Sequence, residues 1–145
     1  PALALKGAIQ EANRKIVLRR QNPAFASMGT TVVGAIFKNK EVCIAQVGDS
    51  RAYLVRDGAI QQLTVDHTYV QELVDRGQIR PEDALSHPQA HILTRCIGSE
   101  PGLEIDLRKF WVWQAPINEP DDYLLLCTDG LYSMVSDAEI AGALA

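Results

Sequence analysis

The apolar positions change their period several times along the chain. Leu5, Ile9, Ala12 and Ile16 recur at helical spacing within residues 3–20, which predicts an amphipathic helix. Lys15, Arg19 and Arg20 lie in its last turns, where cations suit the helix dipole, and Asn22-Pro23 stops it. After the small residues 24–29 the period shortens. Four β-rich runs follow, Thr30–Phe37, Glu41–Val47, Ala52–Val55 and Ala59–Leu63, separated by Lys38-Asn39-Lys40, Gly48-Asp49-Ser50 and Asp57-Gly58. Asp57-Gly58 is a strong two-residue hairpin turn, and the four runs are expected to form an antiparallel meander of local hairpins.

Thr68 and Gln71 make a capping-box pattern for a second helix, with Val70, Leu73 and Val74 as its apolar stripe and Gly77 as its end. Residues 78–100 are polar and irregular, apart from Pro81-Glu82-Asp83, which suits a one-turn helix start. So long a weak segment inside a compact domain points to a functional flap. Two strands come next, Leu103–Trp113 and Tyr123–Cys127, joined by the acidic loop 114–122, and a last helix opens at Ser136 with Glu139 as its box partner. This order predicts a single α+β domain over 1–145, with helices covering antiparallel sheet.

Composition narrows the function classes. With 145 residues, 47% hydrophobic and 22% charged, the chain has the balance of a globular domain with a real core. A net charge of −4 provides no basic field for nucleic acid or an anionic membrane surface. No apolar run approaches the roughly 20 residues of a membrane helix. Cys43, Cys96 and Cys127 are odd in number and far apart, and read as buried thiols in a reducing, cytoplasmic setting.

Three short stretches could carry chemistry. Gly48-Asp49-Ser50-Arg51 links two strands, with Gly48 permitting a tight turn and Asp49 able to bond back to nearby amides. Arg51 can pair with Asp49 or reach elsewhere, and the plain reading of the stretch is a stabilised corner. In Leu63-Thr64-Val65-Asp66-His67-Thr68, Asp66 is either a capping carboxylate or a ligand, and His67 a ligand, a base or a supporting residue. Thr128-Asp129-Gly130 ends the apolar run Tyr123–Cys127. It is either an ordinary turn or the anchor of a hard-cation site, since Mg²⁺ and Mn²⁺ take oxygen ligands from isolated carboxylates. Asp66 and Asp129 fit such a site only where their strands meet. Other chemistries lack their residues. There is no CxxC pair for zinc, Met28-Gly29-Thr30-Thr31 lacks the lysine and spacing of a phosphate loop, and no serine sits in a nucleophile elbow.

Taken in order, five blocks resemble the metal-dependent serine/threonine protein phosphatases of the PPM (type 2C) family, its bacterial branch above all. They are Met28-Gly29-Thr30-Thr31, Val47-Gly48-Asp49-Ser50-Arg51-Ala52-Tyr53, Leu63-Thr64-Val65-Asp66-His67, Leu93-Thr94-Arg95-Cys96-Ile97-Gly98 and Leu125-Leu126-Cys127-Thr128-Asp129-Gly130-Leu131. The helix Val70–Val74 and the stretch from Gly77 to Glu82 add to the likeness. The resemblance implies an antiparallel β-sandwich flanked by helices, the four-layer αββα phosphatase fold. It implies hydrolysis of phosphoserine and phosphothreonine by a water bridging two Mn²⁺ or Mg²⁺ ions.

Position by position, it makes Asp129 a ligand of one central metal. It makes Asp66, with the Asp129 position, the holder of a third, weaker one. Gly48, Asp49 and Arg51 become a mainly architectural signature, and 78–100 a mobile flap. The family's two opening segments, with further aspartates and a phosphate-binding arginine, have no match here, nor does its closing aspartate-asparagine ligand. The sequence is therefore expected to be the central part of the domain, truncated at both ends and inactive alone. Ser133 stands where many members carry an aspartate, so the resemblance does not carry that carboxylate's support of the metals over to this chain. The implied partners are phosphoprotein substrates and a cognate serine/threonine kinase, with a monomeric chain and neither nucleic acid nor membrane. The alternative is a non-catalytic phosphatase-like module that binds a partner protein or phosphopeptide; missing ligands favour it, while Asp66 and Asp129 count against it.

Overall fold

The computed structural model describes residues 2–111 and 122–145. Helix α1 (Ala2–Arg19) is followed by a 3-10 turn, Pro23–Phe25, where the Asn22 side chain accepts from the Ala24 amide. Strands β1 (Val32–Lys38), β2 (Glu41–Val47), β3 (Arg51–Arg56) and β4 (Ala59–Gln62) lead to helix α2 (Tyr69–Asp75). A second 3-10 turn at Pro81–Asp83 precedes β5 (Asp106–Trp111), β6 (Tyr123–Cys127), α3 (Asp129–Tyr132) and α4 (Asp137–Leu144).

The described strands form two antiparallel three-stranded sheets, ordered β1-β2-β5 and β4-β3-β6. β1–β2 and β3–β4 are the expected hairpins, but the single meander is not formed. Both edges of β2 are already taken, by β1 and β5, so Gly48-Asp49-Ser50 carries the chain from one sheet to the other. The corner is a sheet-to-sheet crossing.

Burial on both faces explains why β2 is apolar from Val42 to Ala45; Gln46 is the buried exception, its Nε2 donating to the Val65 carbonyl (2.6 Å). Val42 and Ile44 face the second sheet, packing with Ala52 and Leu63. Ala45 and Val47 face the other way, into a core with Ile9 that Leu5 and Ile16 of α1 extend. A strand buried on both faces reads as continuous hydrophobicity, and each of its large side chains contributes about 1.5–3 kcal/mol on burial. With α4 packed on β4 at the far side, the layers run helix, sheet, sheet, helix. The α+β sandwich is the fold.

Local signals hold with instructive exceptions. Thr68 caps α2 by accepting from the Gln71 amide, but the Gln71 side chain turns to Asp75, so only half the box forms. At Ser136 the box is complete. The expected strand 103–113 begins only at Asp106, because Leu103 and Ile105 are buried in the core under α1 outside the β2 ladder. Trp113 and loop positions 114–121 lie outside the described residues. Asn13 breaks the apolar stripe of α1 although it is buried. Its amide clamps the end of 78–100, accepting from the Gly98 amide (2.7 Å) and donating to the Glu100 carbonyl (2.8 Å). All three cysteines are free, Cys43 buried and Cys96 and Cys127 half-buried. No described helix is long and apolar enough to cross a membrane.

Candidate active site

The site is built around the crossing from β2 to β3. Gly48 has φ +106°, and a Cβ there would stand 2.4 Å from Thr31 Cγ2, so both backbone and space demand glycine. Its amide donates to His67 Nδ1 (3.0 Å), and its carbonyl accepts from the His67 amide (3.0 Å). The Ser50 and Thr31 hydroxyls meet at 2.7 Å, and the Asp49 carbonyl accepts from the Tyr132 hydroxyl (2.7 Å). The corner is thus held from three other chain segments, through His67, Thr31 and Tyr132.

Arg51 leaves this corner toward Asp66, not toward Asp49. Its Nε donates to Asp66 Oδ1 (2.9 Å), its Nη2 to Oδ2 (2.6 Å) and its Nη1 to the Tyr53 hydroxyl (2.8 Å). The guanidinium lies over the Tyr132 ring, 3.6 Å from its centroid, a stacked cation–π contact. Burial lowers the affinity of Arg51 for its proton, but the bonds and charge of Asp66 more than reverse this, and its pKa ends above the ordinary value. Gln62 Nε2 adds a bond to Asp66 Oδ1 (3.1 Å). Asp66 is therefore no helix cap, a task Thr68 performs; its carboxylate is the counter-ion of a buried arginine.

Asp129 opens α3 at the end of β6 and is exposed. Its main-chain carbonyl accepts from the Ser133 hydroxyl and amide, and among the described residues no side chain donates to its carboxylate. Asp49, Asp66 and Asp129 line one cavity of about 420 Å³, with Arg51, Tyr132 and the 78–100 residue His91 on its walls. The Asp49 carboxyl is pushed above its ordinary value, first by burial and then by the charges of Asp129 and Asp66. The Tyr132 hydroxyl is pushed up by burial and then by Asp66 and Asp49. Burial is the first cause of both shifts and the neighbouring carboxylates add to it, so these aspartates feel one another's charge across the cavity.

Asp66 and Asp129 thus line one cavity, with Asp49 and Arg51, in unequal states. Asp129 has an open carboxylate, and Asp66 has both oxygens engaged. Among the described residues, no group of three or more His, Cys, Asp or Glu is arranged to hold a metal ion. His67 is buried, with Nε2 3.0 Å from Asp106 Oδ2; it supports the corner. Tyr132 and Gln62 were not anticipated as site residues. Tyr132 stands three positions after Asp129, one helical turn on, which is the signal that could have found it.

The protein phosphatase 2C family model matches residues 2–73. The serine/threonine phosphatase stp of Listeria innocua is 44% identical over 137 residues, which are 94% of this chain and 52% of that protein. Among solved structures, the serine/threonine phosphatase Stp1 from Staphylococcus aureus superposes with a TM-score of 0.84 at 42% identity, covering 94% of this chain and 52% of that one. The catalytic domain of the serine/threonine protein phosphatase PstP, in complex with 2 manganese ions, superposes with a TM-score of 0.77 at 35% identity, over 99% and 57%. The chain spans about half the length of the first curated relatives it matches.

Proposed function

The chain belongs to the bacterial branch of the protein phosphatase 2C (PPM) family, and from that premise we propose that its parent protein hydrolyses phosphoserine and phosphothreonine in other proteins, with Mn²⁺ or Mg²⁺ as cofactor. The observation that carries this reading is the anionic cavity where Asp49, Asp66 and Asp129 converge from three chain segments.

The chemistry of these carboxylates suits a hard cation, although among the described residues they do not make up a full ligand group. The donors are all oxygen, they feel one another's charge, and Asp129 offers a carboxylate that no described side chain occupies. Asp129 would hold a central ion, and Asp66 would contribute to a third, weaker one. When bound, such ions supply an acidified water nucleophile and neutralise charge on the phosphoryl group as it transfers in line. The chain's own residues do the positioning. The Arg51–Asp66 fork fixes the cavity floor, and Tyr132 ties α3, and so Asp129, to the Asp49 carbonyl. Residues from 78–100 form a wall that limits access to the reacting centre. This chain supplies few of the carboxylates that a two-metal site needs, so alone it is expected to be inactive. The substrates are phosphoproteins, and the corresponding kinase is a serine/threonine kinase.

One observation favours the second reading, a non-catalytic module that binds a partner protein or phosphopeptide: Asp66 is already neutralised by Arg51. The deciding assay is metal-dependent hydrolysis of a small aryl phosphate and of a phosphothreonine peptide by three proteins, namely the full-length protein, its Asp129→Ala variant and this chain. Activity in the first alone supports the phosphatase. A full-length protein that binds the peptide and is inert with either ion supports the module.

A further inference from the structure

His67 makes more long-range connections than any motif residue beside it, and the proposed reaction gives it no part. Four bonds meet there. Nδ1 accepts from the Gly48 amide (3.0 Å), and the ring's Nε2 lies 3.0 Å from Asp106 Oδ2 on β5. The main-chain amide donates to the Gly48 carbonyl (3.0 Å), and the main-chain carbonyl accepts from the Thr94 amide (2.9 Å) in the 78–100 segment. Because a backbone N–H can only donate, Nδ1 must be the bare nitrogen and Nε2 must carry the proton that goes to Asp106. Arg95 holds the other Asp106 oxygen at 2.8 Å, which fixes the acceptor. The His67 side chain is only 3% exposed.

We propose that His67 is a positioning residue for the phosphatase reaction: through the Gly48 amide it sets the corner that presents Asp49 to the cavity and docks α3. This rests on the functional reading above. The path is short and continuous. His67 fixes the Gly48 peptide, the next carbonyl, that of Asp49, receives the Tyr132 hydroxyl, and Tyr132 lies in the same helical turn as Asp129. His67 is also the residue after Asp66, so its bonds fix the backbone beside that carboxylate as well. Asp106 and Arg95 act through it by choosing the tautomer, in the manner of the outer partners that orient ligands in metal sites.

The two ring nitrogens can be separated by substitution. In His67→Asn, Oδ1 replaces Nδ1 and keeps the acceptor for Gly48 while the reach to Asp106 is lost. His67→Gln reaches Asp106 and loses the Gly48 bond. His67→Leu loses both. In the full-length protein, Mn²⁺ affinity by calorimetry, the Gly48 amide shift, and kcat and KM on a phosphothreonine peptide are to be measured for all three and for Asn13→Ala. That last variant removes a buried side chain with two bonds remote from the cavity. His67→Leu and His67→Gln are expected to lose about tenfold in Mn²⁺ affinity and in kcat, with KM little changed. His67→Asn should keep both within about threefold, as should Asn13→Ala, and imidazole nitrogen shifts should report the Nε2-protonated form. Should His67→Leu not fold, the order of Asn above Gln still carries the test. Wild-type affinity in His67→Gln, no advantage of Asn over Gln, an equal loss in Asn13→Ala, or a proton on Nδ1 would each overturn the proposal. Mn²⁺ affinity and the Gly48 shift need no turnover, so they judge His67 even where an inert wild type has defeated the phosphatase reading.

Discussion

Arg51 and Asp66 meet across fifteen positions as a two-bond fork, Nε to Oδ1 at 2.9 Å and Nη2 to Oδ2 at 2.6 Å, with side chains only 11% and 10% exposed. A planar guanidinium satisfies both carboxylate oxygens at once and still offers Nη1 to Tyr53 and its face to Tyr132. Lysine has the charge without the fork. Arg51→Lys is therefore expected to destabilise the protein by about 1.5–3 kcal/mol, the range for lost bonds to a charged group. Urea unfolding at neutral pH measures it, and an unchanged midpoint would mean that the fork adds nothing to packing.

Much of this was readable from residue patterns. Helix α1, both hairpins, the Thr68 and Ser136 caps and the end of β6 follow from local chemistry, because period, turn residues and caps act within a few positions. What local chemistry cannot say is which strands pair. The corner at Gly48 has the residues of a hairpin, and only the occupation of both β2 edges makes it a crossing between sheets. The same limit applied at the site. Asp66 next to a helix start reads as a cap until Arg51 arrives from another strand. Its partnership, like the burial of His67 against Asp106, is a tertiary fact with no sequence neighbour to announce it.

The repulsion around Asp49 has a pH signature. Its folded pKa is raised, by burial first and then by Asp129 and Asp66, above the ordinary 3.8 that it keeps when unfolded. The ionised form is thus a liability that is fully present above the folded value and vanishes as pH falls toward 3.8. With chelator present, Asp49→Asn should be more stable than wild type at neutral pH, and the two should converge in acid. A stability difference that does not change with pH would show that the Asp49 charge is not responsible.

Residues 78–100 should not behave as one unit. Around the Pro81–Asp83 turn and through residues 84–90, the amides that bond do so over two or three positions along the chain, as Gln89 does to the His87 ring and Ala84 to the Pro81 carbonyl. The end of the segment is tethered to distant elements, Thr94 to His67, Ile97 to Thr30 and Gly98 to Asn13. Hydrogen exchange is expected to be fast over 82–90 and slow at Thr94, Ile97 and Gly98, since protection follows the cost of opening a long-range contact. Uniform protection across the segment would contradict a flap hinged at its far end.

Asp66 and Asp129 should fail in opposite ways when removed. Asp66 balances a buried arginine, and taking it away leaves that charge, among the described side chains, hydrogen-bonded to Tyr53 alone and stacked on the Tyr132 ring, with Asp49 nearby. Breaking one side of a buried pair costs about 3–5 kcal/mol, so Asp66→Ala should unfold at a much lower urea concentration. Asp129 is exposed, and no described side chain depends on its carboxylate. Asp129→Ala should therefore change stability by no more than about 0.5 kcal/mol, the scale of ordinary surface substitutions. In the full-length protein the order reverses for chemistry. On the proposed reading Asp129 holds a central ion, and losing such a ligand costs on the order of several kcal/mol of barrier, the scale of the charge stabilisation that such ions supply, whereas the occupied Asp66 has less to give. Unfolding curves and Mn²⁺-dependent phosphatase rates on the same two variants decide the matter. Were Asp129→Ala to keep its activity while Asp66→Ala lost it at full stability, the roles assigned to these two carboxylates would have to be exchanged.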